Sequence, residues 1–230
     1  MSEALISRYY DKDAIDAEVA GGHHREMIGG MWDEIGYLQF EFMVQTARLL
    51  RHHKLLDLGC GSLRGGVRFV PYLDVGNYFG FDINQSLMDA GYDREIVPAG
   101  LAPRLPRSNL IADDNFDFSA FPVQFDKVIA LSVFTHLTLN MIRVCLERLA
   151  PVVKPGGEFY ATYFTVPHNF QMHKPLQHRP GDITTYGFKD PYHYRWKDLH
   201  YAAEGTPWKV ANIGAFNHPR DQHMAVFKRV

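Results

Sequence analysis

The run Leu55-Leu56-Asp57-Leu58-Gly59-Cys60-Gly61-Ser62-Leu63-Arg64-Gly65-Gly66 constrains the fold more than any other part of this chain. Its apolar start reads as a buried strand, and the glycines behind it read as a turn that opens a helix. Glycines at 59 and 61 permit positive φ and let a ligand approach the backbone with no Cβ in the way. The helix that follows aims unpaired N–H groups at whatever sits there. Asp57 discriminates between ligands, because a carboxylate so close repels a pyrophosphate and attracts a group that carries an ammonium.

From residue 54 onward, strand-like and helix-like segments alternate. Strands are expected at 54–58, 77–82, 108–112 and 125–133, with helices over 63–72 and after Asn84. Thr138 caps a helix running to about Val153, and Lys154-Pro155-Gly156-Gly157 stops it ahead of a strand from Glu158 to Phe164. Such alternation predicts an α/β fold, a parallel sheet with crossover helices on both faces. The rhythm breaks at the end of the chain, where Trp208–Ile213 and His223–Arg229 read as two strands separated only by a loop. Ahead of the first strand, residues 1–50 form a helical cap, with Trp32, Ile35, Leu38, Phe42, Met43, Thr46 and Leu49 on one helical period. At 230 residues with 46% hydrophobic content the chain suits one sizeable domain, residues 51–230, plus that cap.

The string LLDLGCGSLRG resembles the first motif of class I S-adenosylmethionine (SAM)-dependent methyltransferases. That resemblance covers residues 54 to 165 motif by motif and 208 to 230 by pattern. It implies a seven-stranded, Rossmann-like sheet whose last, antiparallel strand slots between its neighbours, and SAM as cofactor. The implied cofactor contacts are Asp57, Gly59, Cys60, Gly61, Ser62, Arg64 and Gly65 in the turn. At the next strand tip they are Asp82 and Ile83, with Asp82, 25 residues after Asp57, taking the ribose hydroxyls. The competing reading of Asp82 is a helix cap. An acid in Asp113-Asp114-Asn115 meets adenine, with the register between Asp113 and Asp114 open. Ser132 lies on the methionine side.

His136 follows the fourth strand, Phe125–Ala130, where the acceptor pocket of such an enzyme opens. An imidazole there can take a proton from an acceptor hydroxyl, or simply pack against the next helix. Acceptor selection is assigned to a lid over 167–195, through His168, Lys174, His178, Arg179, His193, Tyr194 and Arg195. A flap over 21–32 adds His24, Arg25 and Trp32. The 12 histidines invite a metal, yet no HExxH, CxxC or ligand-spaced cluster is present, so no metal is expected.

These residues point to O-methylation of a small molecule such as a sugar or secondary metabolite. N- or carboxyl-methylation and a non-catalytic SAM-binding protein are the alternatives. A net charge of -2 gives no basis for wholesale nucleic-acid binding. Two cysteines in apolar surroundings, Cys60 and Cys145, with no leader or membrane span, suit a reduced, cytoplasmic protein. Homodimerisation is left open.

Overall fold

The computed structural model describes residues 7–230. The first six residues of the expected cap therefore lie outside the described residues. Three helices precede the sheet: α1 (Lys12–Ala20), α2 (His24–Met27) and α3 (Trp32–Glu41), the last continued by a π turn over Phe42–Thr46. The sequence reading placed helix only from about Met31. α1 is short and weakly amphipathic, and it is held by Asp11, whose side chain accepts from Ala14 N, and by Ile15 and Val19 packing on Leu87 and Ala90.

The alternating part follows as β1 (Leu55–Leu58), α4 (Gly66–Tyr72), β2 (Tyr78–Asp82), α5 (Gln85–Gly91), β3 (Leu110–Ala112), β4 (Phe125–Ala130), α6 (Leu139–Leu149) and β5 (Val153–Thr165). Next come a hairpin of β6 (Leu176–His178) and β7 (Ile183–Thr185), the two-residue β8 (His193–Tyr194) and α7 (Trp196–Ala203). β9 (Trp208–Ala215) and β10 (Gln222–Arg229) close the chain.

The main sheet runs β3-β2-β1-β4-β5-β10-β9, with β8 added beside the end of β5. β10 lies between β5 and β9 and is antiparallel to both, as the terminal strand pair implied. All four residues of β1 are buried, which fits a central parallel strand covered on both faces. Alternation then splits the core. Leu56, Val128 and Phe159 face α6 and α7, whereas Leu55, Ile129 and Tyr160 face the side of α3 and α4.

Two boundaries differ from the sequence reading for local reasons. α6 ends at Leu149 and passes through a 3-10 turn, Ala150–Val152, because Pro151 cannot donate to a continuing helix. The 154–157 glycine turn lies inside β5, where the β4–β5 register shifts. Thr138 caps α6 as expected, accepting from Met141 N at 3.3 Å.

Gly91 fixes α5 against the ligand turn. A Cβ there would stand 2.3 Å from the carbonyl oxygen of Ser62 and 2.4 Å from its carbon, and both are backbone atoms. Gly91→Ala is expected to lower the urea-unfolding free energy by about 1–3 kcal/mol, overpacking outweighing alanine's better helix propensity. A stability equal to or above wild type would contradict this close packing.

Candidate active site

The carboxyl ends of β1, β2 and β4 open into one cavity of ≈ 1060 Å³, its mouth included. β1 and its turn contribute Asp57, Gly59, Cys60, Gly61, Arg64 and Gly65. The tip of β2 adds Asp82 and Ile83, and the segment after β4 adds Ser132 and His136. Gly59 adopts φ +75, and a Cβ on it would meet Val133 Cγ2 at 2.3 Å, so the turn stays open only with glycine.

Asp57 is buried and accepts a hydrogen bond from Tyr78 Oη at 2.8 Å. Burial pushes its carboxyl up to about 6, against the pull of that bond and of the Arg64 guanidinium. Asp82 does two jobs. Its Oδ2 accepts from Gly61 N at 2.8 Å and its Oδ1 from Asn84 N at 2.9 Å, so it clasps the turn and also caps the next segment. A carboxylate has about four acceptor sites, which leaves two for a ligand. Burial raises the Asp82 carboxyl while these backbone bonds lower it. Burial also pushes the Cys60 thiol well up, which keeps it protonated and inert.

Arg64 is nine-tenths buried, its Nε has no partner, and one terminal nitrogen donates to Ile28 O (3.3 Å) and Gly30 O (2.9 Å). His136 Nδ1 lies 2.5 Å from Asp190 Oδ1, and the ring of Tyr9 meets its ring edge-on at 5.0 Å.

Several expected contacts stand elsewhere. Ser62 is buried behind the cavity wall, its Oγ donating to His24 O at 3.0 Å. Asp113 and Asp114 line a separate shallow hollow together with Ile83 and Lys12. Asp113 Oδ1 accepts from the N–H groups of Asn115 and Asp117, at 2.8 Å each, and Asn115 Nδ2 donates to Asp114. From that stretch it is Phe116 that reaches the main cavity, at φ +56. His24 and Arg25 both bind Glu95, and Arg25 lies 4.5 Å over the Trp32 ring, so all three tie the N-terminal segment to the turn after α5.

None of the lid residues named from sequence lines the cavity. His193 is fully buried, its Nδ1 2.9 Å from Thr185 Oγ1, which in turn bonds His178 Nε2 at 2.9 Å. Tyr194 Oη donates to Leu137 O, and Arg195 donates to Phe170 O at 2.7 Å. His168 bonds its neighbour Asn169. These bonds hold the segment's own fold, while His193 Nε2 and Arg195 Nε stay buried without a partner. What the segment does supply is Asp190, which reaches the cavity through His136.

Sequence reasoning missed Tyr9, Tyr10 and Ile28, which cover the cavity, Gln39 from α3, and Arg220 from the β9–β10 turn. Among the described residues no group of three or more His, Cys, Asp or Glu is placed to hold a metal.

A glycine turn after a central strand, acids at two strand tips and an antiparallel β10 inserted beside β5 together define a class I methyltransferase architecture. Residues 56–159 match the family described as methyltransferase domain. The chain is 25% identical over 122 residues to the U6 snRNA methylphosphate capping enzyme Amus of Drosophila melanogaster, covering 48% of this chain and 41% of that protein. The chain thus spans well under half the length of that relative. Its fold is similar to that of magnesium protoporphyrin IX methyltransferase (ChlM) from Synechocystis PCC 6803 with bound SAM, at TM-score 0.63, 13% identity and full coverage of both chains. The CcbJ methyltransferase of Streptomyces caelestis is similar at TM-score 0.62 and 12% identity, covering 85% of this chain and 89% of that one.

The residues present fit SAM. Asp57 suits its ammonium, Arg64 its carboxylate and the free acceptor sites of Asp82 its ribose. A ligand ammonium favours ionised Asp57, whose carboxyl in the free protein titrates near 6. Affinity for S-adenosylhomocysteine (SAH) is therefore expected to fall as pH drops through about 6, approaching tenfold per pH unit. In the ligand-free protein the sign is opposite. A carboxyl raised above its ordinary value makes ionisation destabilising as pH climbs from about 4 to about 6. Calorimetry across that range tests the binding effect, and a flat profile in wild type would remove Asp57 from the ligand.

Proposed function

We propose that this enzyme methylates a hydroxyl oxygen of a small molecule such as a sugar or secondary metabolite, with His136 as general base. The observation that carries this reading is the Asp190–His136 pair on the cavity wall, 2.5 Å between Nδ1 and Oδ1. A carboxylate only accepts, so the ring proton stays on Nδ1 and Nε2 keeps its lone pair for the acceptor's proton. Asp190 thereby holds both the tautomer and the ring plane.

When bound, the cofactor would be held by Asp57, Arg64 and Asp82 and would supply an electrophilic methyl on a sulfonium, with the thioether as the leaving group. The chain's own part is to align the two reactants, exclude water and remove the hydroxyl proton. The cover formed by Tyr9, Tyr10 and Ile28 serves the exclusion.

In this reading the Drosophila relative's RNA chemistry does not carry over, because a net charge of -2 offers no phosphate track. The protein works in the cytoplasm. Both cysteines are free and buried, and no helix among the described residues is long and apolar enough to cross a membrane. The test is SAH release from SAM with pooled hydroxylated metabolites, amines or carboxylic acids as acceptors. Release with the hydroxylated pool is expected. Release confined to the amine pool, or absent with all three, would contradict the reading.

A further inference from the structure

We propose that the cavity contains a second anion subsite, built on Arg220, and that the acceptor is a small hydroxylated compound bearing a carboxylate or phosphate. This rests on the reading of the cavity as a hydroxyl-methylating site.

Arg220 comes from the turn between β9 and β10 and lines the same cavity as Arg64. Both guanidiniums grip one short stretch of the N-terminal segment. Arg64 donates to Ile28 O and Gly30 O, and Arg220 donates to Gly29 O between them. Uncharged carbonyls satisfy donors without neutralising a cation, so two positive charges stand side by side at the wall.

Arg220 keeps no carboxylate of its own once the cofactor is in place. Asp57 and Asp82 offset Arg64 and Arg220 in the free protein. SAM brings an ammonium, a carboxylate and a sulfonium, one net positive charge. The ammonium pairs with Asp57 and the carboxylate with Arg64, while Asp82 serves the ribose. Asp190 is engaged with His136, and Arg220 is bonded to the uncharged Gly29 O, so the Arg220 guanidinium has no ion-pair partner among the described residues in a covered site. An acceptor with an anionic group supplies that partner, and a guanidinium binds carboxylate or phosphate through two parallel hydrogen bonds.

Two further observations agree. His218 is buried two residues before Arg220, and its imidazole is pushed down to about 3, first by burial and then by the charges of Arg220 and Arg64. It is neutral there and adds no further charge to the wall. Gln222, two residues after Arg220, accepts from Ser132 Oγ at 3.1 Å and Thr162 Oγ1 at 2.7 Å. The Arg220 turn is thus fastened to the tip of β4, four residues from His136. An anion held by Arg220 stands at the acceptor end and not at the nucleotide end.

The experiment titrates inorganic phosphate, and separately acetate, into SAH-saturated protein by calorimetry, with the R64Q, R220Q and R220K variants in parallel. Wild type is expected to bind one of the two anions with a dissociation constant on the order of 1 mM. R220Q should weaken that binding by about tenfold or more while SAH affinity stays within about twofold, and R220K should recover part of it. R64Q should do the reverse, losing SAH affinity. The arm that binds separates phosphate-bearing from carboxylate-bearing acceptors. Equal anion binding in wild type and R220Q means an adventitious ion only and overturns the proposal. So does an R220Q that loses SAH as R64Q does, or an R220K no better than R220Q with both melting early, which reduces Arg220 to a clamp on Gly29. If wild type fails to bind SAH, the underlying methyltransferase reading falls. SAH binding without anion binding removes this subsite alone.

Discussion

Replacing His136 by glutamine is expected to lower turnover by about 10²–10⁴-fold, the usual contribution of a general base, while SAH affinity stays within about twofold. The split follows from position. His136 lies beyond the β4 tip, at the acceptor end of the proposed site, whereas the turn, Asp57 and Asp82 line the same cavity from β1 and β2, where the nucleotide is expected. Glutamine keeps polarity and much of the volume, so packing against Tyr9 and the start of α6 survives. Asp190→Asn is expected to give a smaller fall, because the base remains but its tautomer and plane are no longer held. Steady-state kinetics with an identified acceptor, beside calorimetry with SAH, measures both quantities. A His136→Gln enzyme turning over at the wild-type rate at neutral pH would leave alignment as the sole source of catalysis.

The second large effect is on binding. Asp82→Ala is expected to weaken SAH binding by about 1.5–3 kcal/mol, the size of a hydrogen bond to a charged group. Asp82 also holds Gly61 N and Asn84 N, so part of any loss reflects a loosened turn. Asp82→Asn separates the two contributions, since its amide oxygen still accepts one backbone N–H while the charge on the ribose is gone. If Asp82→Ala and wild type bind SAH equally, the residue serves the turn only.

The side of the cavity built by the glycine turn and the β2 tip was legible in the sequence because its signals are local, whereas Ser62 and the 113–115 stretch fell outside the cavity. A strand, a glycine turn and an acid at the next strand tip are each written within a dozen residues, and β9 and β10 announce themselves by a short loop between two apolar runs. Of the acceptor side, His136 was read from the sequence but its partners were not. Asp190 reaches His136 across 54 residues, and Arg220 meets Gly29 across 191, and neither closure leaves a periodic trace. The stretch 167–195 misled for a different reason. Its histidines, tyrosines and arginines looked like a polar lid, but His178, Thr185 and His193 turn inward and bond one another. Composition reports how many polar groups a segment holds and not which way they face. The same limit applied to His24 and Arg25, whose partner Glu95 lies about 70 residues on.

One cavity is expected to hold the cofactor by its β1 and β2 tips and to present its methyl toward His136. A crystal structure of the protein with SAH tests that most directly. Expected are ribose hydroxyls on the Asp82 carboxylate, the amino acid end between Asp57 and Arg64, and the sulfur turned toward Ser132 and His136. SAH bound outside this cavity, or inside it with Asp82 unengaged and the sulfur facing away from His136, would contradict this placement.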